Sequence, residues 1–149
     1  MIKNLQTTQS ARGDEDRQYG RSDIVNKPLF VGLGILVWFI GLICIRIFGP
    51  TLFAAGDPLL LALFAASVPG ALVLIKFSAA VGKVQGHPLF SAVTLMCLTA
   101  LLLDGVALTW FQPAYGLLSG SLALAAAWLL WDVGITLLVA LLLTGGVRD

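Results

Sequence analysis

At 149 residues, 58% hydrophobic and only 11% charged, the chain is far more apolar than a soluble domain, in which charged residues run near ~25%. An ordinary water-soluble fold is excluded. A net charge of +1, with the nine Lys and Arg scattered, leaves no basic field to hold phosphates, which excludes nucleic-acid binding as a function class.

Residues 1–27 form a polar segment in which Lys3, Arg12, Arg17, Arg21 and Lys27 alternate with Asp14, Glu15, Asp16 and Asp23. We read it as a cytoplasmic N-terminal tail, with residues 28–149 as a transmembrane domain. Four apolar stretches follow, at about 28–48, 58–77, 88–110 and 117–144, each long enough for the ~20 residues that cross a ~30 Å hydrocarbon layer. In lipid, backbone groups must be satisfied within the segment, so each stretch is expected to be a helix. The expected fold is therefore all-α, an integral membrane bundle of four transmembrane helices.

The punctuation agrees with that reading. Pro28 opens the first helix and Gly49-Pro50 closes it, since proline cannot continue the bonded ladder. Asp57 before Pro58 reads as the cap of the second. Pro88 opens the third after His87, and Gln112-Pro113 ends it. Lys and Arg near short loops are retained on the cytoplasmic side. The tail, the second loop and the C-terminal region share one side and hold Lys3, Arg12, Arg17, Arg21, Lys27, Lys76, Lys83 and Arg148, against Arg46 alone on the other. Both termini are thus expected to be cytoplasmic.

A faint echo runs between the two halves. Pro28-Leu29-Phe30 and Phe48-Gly49-Pro50 bracket the first helix, as Pro88-Leu89-Phe90 and Phe111-Gln112-Pro113 bracket the third. Two hairpins related by an axis along the membrane normal would produce such a pattern, as would chance agreement between leucine-rich helices.

Arg46, Lys76, Asp104 and Asp132 are the ionisable groups within or at the edge of apolar spans, where each costs ~2.5–3.5 kcal/mol at the helix centre. They are the candidate functional or ion-pair residues. Arg46 and Asp104 differ in depth by only ~6 Å, so either they tie the first and third helices together or Asp104 is a proton or cation site with Arg46 as its counter-charge. Asp57 competes as a partner for Arg46. Asp132 sits in the middle or inner half of the fourth helix, with Trp128 and Thr136 one turn away on the same face, and Lys76 is a possible partner. Counting from the outer turn puts Asp132 more than ~10 Å deeper than Asp104, which argues against a shared-proton dyad.

Small residues recur every seven positions, Gly34 and Gly41 on the first helix and Gly120, Ala127 and Gly134 on the fourth, a pattern that lets helix backbones approach. Trp38, Trp128 and Trp131 lie inside spans, open to core packing, a partner helix or a bound pigment, whereas Trp110 fits an interfacial belt. Cys44 and Cys97 read as small packing residues, because a basic neighbour that would activate a thiolate is lacking at both.

The run Gly34-Ile35-Leu36-Val37-Trp38-Phe39-Ile40-Gly41, followed by Arg46, Phe48-Gly49, Leu103-Asp104-Gly105, Phe111, Pro113 and Tyr115-Gly116, resembles a bacterial family of small four-helix integral membrane proteins catalogued only as a domain of unknown function. That resemblance implies a four-helix fold in a bacterial cytoplasmic (inner) membrane and transfers no catalytic residue. His clusters, a serine elbow and a phosphate loop are all lacking, so no catalytic, cofactor-binding or metal residue is assigned. The leading expectation is a non-enzymatic structural or accessory subunit whose partners are the lipid bilayer and either itself or a larger membrane complex. The alternative is a small proton- or cation-coupled transporter or channel using Asp132 and Asp104.

Overall fold

The computed structural model describes residues 25–53 and 58–145, and no strand occurs among the described residues. Four long helices follow in chain order: α1 (Lys27–Leu52), α2 (Pro58–Gly82), α3 (His87–Trp110) and α4 (Ser119–Leu143), with a short 3₁₀ turn at Gln112–Tyr115 before α4. Each is long and apolar enough to cross a membrane. Leu61, Val73, Leu102 and Leu142 are among the large apolar side chains left open on their surfaces. So much exposed apolar surface is a liability in water and the ordinary state of a lipid-facing helix. The protein is a multi-pass membrane bundle.

Local chemistry explains where the helices begin and end. Asn26 caps α1, its side-chain oxygen accepting from the Leu29 N–H at 3.4 Å, and Pro28 fills a first-turn position that needs no donor. The expected stop at Gly49-Pro50 is corrected: α1 runs to Leu52 with Pro50 inside it. So near the end, Pro50 removes a single bond, and the Phe53 N–H still closes the last turn on the Gly49 carbonyl at 2.9 Å.

Helix α2 likewise extends past 77. Ser78 returns its hydroxyl to the Leu74 carbonyl at 2.8 Å instead of interrupting the ladder. The chain leaves the helix at Lys83, whose φ of 51° is left-handed. Helix α4 starts at Ser119 and not at 117, because Gly116, at φ 67°, reverses the chain and Leu118 is extended. Asp57, the expected cap of α2, lies outside the described residues, as do the N-terminal segment 1–24 and Arg148.

The tightest neighbours are not consecutive helices. Helix α1 packs chiefly on α3, and α2 on α4, with α3 against α4 joining the two pairs. Along α1 and α3 the contacts climb together: Gly34 lies against Met96 and Thr99, Trp38 reaches Asp104, and Arg46 reaches Pro113 and Ala114. These two helices are therefore parallel. Leu60 and Leu63 cluster with Leu122 and Ala125, while Ile75 and Ala79 cluster with Leu137 and Ala140. Helices α2 and α4 are parallel too, and the two hairpins interleave.

The core is split into two clusters. At the end of the bundle that carries Lys83 and His87, Phe30 is fully buried among Leu33, Ile75, Val84, Leu89 and Val93. A Cβ on Gly82 would run into the Phe30 ring, so glycine there is what lets the ring close this end. At the opposite end, Tyr115 and Phe53 pack with Ile45, Ala107 and Ala125. Between the clusters lie the polar groups.

Candidate functional site

The site is assembled on the inner faces of all four helices and on the 3₁₀ turn that carries Tyr115. Gly34 sets the spacing of the first two. A Cβ there would approach the Met96 carbonyl to 2.7 Å and the Thr99 Cβ to 2.9 Å, so only glycine allows this approach of the two backbones. One turn on, Trp38 donates its indole N–H to Asp104 Oδ1 at 3.0 Å. The same oxygen accepts from the Tyr115 hydroxyl at 2.7 Å. Asp104 is buried, at 8% exposure, and two donors from separate elements converge on one of its oxygens.

The expected partnership of Arg46 with Asp104 is corrected. The Arg46 guanidinium donates to the carbonyls of Pro113 at 3.2 Å and Ala114 at 2.9 Å. Those carbonyls belong to a short turn with few internal donors, so the guanidinium finds ready acceptors there. Arg46 thus pins the turn that carries Tyr115, and Tyr115 supplies the donor that Arg46 was expected to supply. Burial raises the Tyr115 phenol well above the usual tyrosine range, and the Asp104 hydrogen bond and charge add to this. The group therefore stays a donor at ordinary pH.

Asp132 occupies the middle of α4. Ser67 of α2 stands beside its carboxyl, and the Ser67 oxygen accepts the Trp128 indole N–H at 3.1 Å. Trp128 therefore fixes the serine, leaving the serine hydroxyl hydrogen free for Asp132. Lys76 is exposed on α2, and Ser67 takes the place beside Asp132 that was considered for it. Trp131 donates to the Phe64 carbonyl at 3.1 Å, beside the Ala65 carbonyl that Pro69 deprives of its helical donor. All three in-span tryptophans thus bridge helices through their N–H groups. Trp110 is 71% exposed at the end of α3.

A chamber of about 90 Å³ opens between the two core clusters, and both Asp104 and Asp132 line it together with Trp38, Cys97, Trp128 and Thr136. Asp132 faces Cys97, which lies ~10 Å along α3 from Asp104. The separation expected from the sequence holds, and the chamber spans it. Among the described residues, no Lys, Arg or His lines this space. A second, more open groove of about 520 Å³ runs between α2 and α4. Asp132, Trp128, Thr136 and Leu74 line both spaces, so Asp132 stands in the wall they share.

Of the small residues expected to pack helices, Gly34 lies at a close contact. Gly41 borders the chamber, with no atom within 4 Å of an added Cβ. Gly120, Ala127 and Gly134 are all exposed, and the buried stripe of α4 runs through Ala125, Thr136 and Ala140 instead. Cys97 is buried, Cys44 is exposed, and both are free. Among the described residues, no three His, Cys, Asp or Glu are grouped to hold a metal ion. Compared with known protein families, curated proteins and solved structures, the chain matches none.

Proposed function

We propose that this protein is a non-enzymatic membrane protein that takes up a proton or small cation in its interior chamber, with Asp132 and Asp104 as the accepting carboxyls. The observation that carries the reading is the placement of two carboxyls on one chamber whose lining holds no Lys, Arg or His among the described residues. A carboxylate inside a bilayer is costly until a proton or cation neutralises it. With no built-in cation facing them, these two are left to recruit one. About 90 Å³ is well above the ~10–15 Å³ that a single water requires, so water can stand between the acids. The apolar clusters flank the chamber at either end of the bundle, so passage along the bundle axis requires one of them to open.

The distribution of basic residues supports placing the His87 end on the cytoplasmic side, with Lys27, Lys76 and Lys83 at that end and Arg46 at the other. A second reading, an accessory subunit that pairs with itself or a larger complex, is favoured by the outward-facing Gly120, Ala127 and Gly134 on α4.

Proteoliposomes carrying wild-type, Asp132→Asn or Asp104→Asn protein test the chamber reading through proton, sodium and potassium fluxes under imposed gradients. Wild-type flux above that of empty liposomes is expected, with a clear loss in Asp132→Asn. The absence of wild-type flux under every gradient would leave the accessory-subunit reading in its place.

A further inference from the structure

The groove between α2 and α4 is a second space, more open than the chamber, that meets it at the wall holding Asp132. Its α2 wall includes Leu63, Ala66, Val73 and Phe77, and Val73 and Phe77 are 69% and 48% exposed within the span, where the surroundings are acyl chains. Pro69 and Gly70 keep the α2 wall low, with nothing within 4 Å of a Cβ added at Gly70. The far wall is Trp128, Asp132 and Thr136. A space of about 520 Å³ falls within the ~300–1,000 Å³ of small-molecule sites.

We propose that this groove binds a lipophilic monovalent cation, an organic ammonium or phosphonium with an apolar body, which enters sideways from the bilayer and pairs with Asp132. The proposal rests on the reading of Asp132 as a cation-accepting carboxyl and names a ligand class for it.

The physics selects the charge. Moving an apolar group from lipid into an apolar groove gains little, since lipid tails are as apolar as leucine, so a neutral acyl chain draws no advantage from Asp132. A hydrated inorganic ion cannot reach the mouth through hydrocarbon. A lipophilic anion is repelled by the carboxylate. A lipophilic cation dissolves into the membrane, reaches the mouth and meets a carboxylate where the low dielectric strengthens attraction. Ser67, fixed by Trp128, holds that carboxyl at the wall, and the Trp128 ring adds a surface of the kind organic cations favour.

The test uses the full chain in lipid nanodiscs with tetraphenylphosphonium as probe, followed by tryptophan fluorescence and equilibrium dialysis without any gradient. Saturable binding is expected, weakened about tenfold or more by Asp132→Asn and retained by Asp132→Glu, which guards against mere misfolding. Gly70→Leu, which fills the groove from a position with open space around it, should also weaken binding. Tetraphenylborate, of the same shape and opposite charge, should not saturate. Equal affinity of wild type and Asp132→Asn for the phosphonium, or saturable borate binding, would show an apolar groove occupied by lipid and overturn the proposal. Because binding is read without flux, its failure leaves chamber conductance standing, and a failure of conductance leaves the groove site standing.

Discussion

The bond between Tyr115 and Asp104 should be measurable as a coupling. Tyr115 is fully buried, and its hydroxyl donates at 2.7 Å to the oxygen that also takes the Trp38 N–H at 3.0 Å. Tyr115→Phe keeps the ring in the apolar cluster and removes one donor to a buried acid, a loss of about 1–3 kcal/mol. Asp104→Ala removes the acceptor and strands both donors, each at about 1–3 kcal/mol, with a cavity cost besides. In that background the phenol has no partner left to lose, so adding Tyr115→Phe should cost nothing and even relieve a stranded hydroxyl. The double variant should therefore fall short of the summed single losses by about 1–3 kcal/mol. Reversible unfolding of the detergent-solubilised protein by dodecyl sulfate titration, followed by circular dichroism, reads all four corners of the cycle. An equal cost for Tyr115→Phe with and without Asp104 would refute the argument.

Gly34→Leu should force α1 away from α3 and cost about 1–3 kcal/mol or more in the same assay, whereas Gly134→Leu, on the open face of α4, should stay within about 0.5 kcal/mol of wild type. Burial first, and then Asp104, raise the phenol of Tyr115. Stability from this group is thus present below the ordinary tyrosine value of ~10 and is lost as pH rises through its higher folded-state value. With Tyr19, the other of the two tyrosines in the sequence, replaced by Phe, alkaline tyrosinate absorbance should appear only above that ordinary range. Reporter fusions at residue 83 should read cytoplasmic and fusions at residue 114 external, since Lys83 lies at the end rich in basic residues; the reverse pattern would overturn the proposed orientation.

The helices were legible because lipid imposes one rule on every span, and prolines mark most of their starts. Their ends were less so: Pro50 looks like a stop in sequence yet forfeits a single bond near a terminus, and α2 continues past 77 with Ser78 folding its hydroxyl onto its own helix. Asp104 and Asp132 stood out by cost alone. Their partners did not, because partnership depends on which helices touch, and α1 meets α3 and not its sequence neighbour. Arg46 matched Asp104 in depth, but depth says nothing of the turn that folds Tyr115 back over the acid. The small-residue repeat on α4 names a face without saying which way it points, and that face turns outward from the bundle. A signal was present at Trp38, four residues after Gly34 and so on the same face.

The interleaved packing bears on how the protein is made. During synthesis the first hairpin enters the membrane while α1's main partner does not yet exist, and insertion must be complete well before association, as two separate stages. Until α3 arrives, Trp38 has no acceptor, Gly34 faces no carbonyl and Phe30 lacks most of its neighbours. Neither half is a unit of assembly. Cutting the chain within the α2–α3 loop should give fragments that each insert and neither holds its shape, while expressing both in one cell should restore the whole. Assembly is thus postponed until the second hairpin has emerged, and a truncated chain of the first half alone presents unfinished surface to the machinery that clears misassembled membrane proteins.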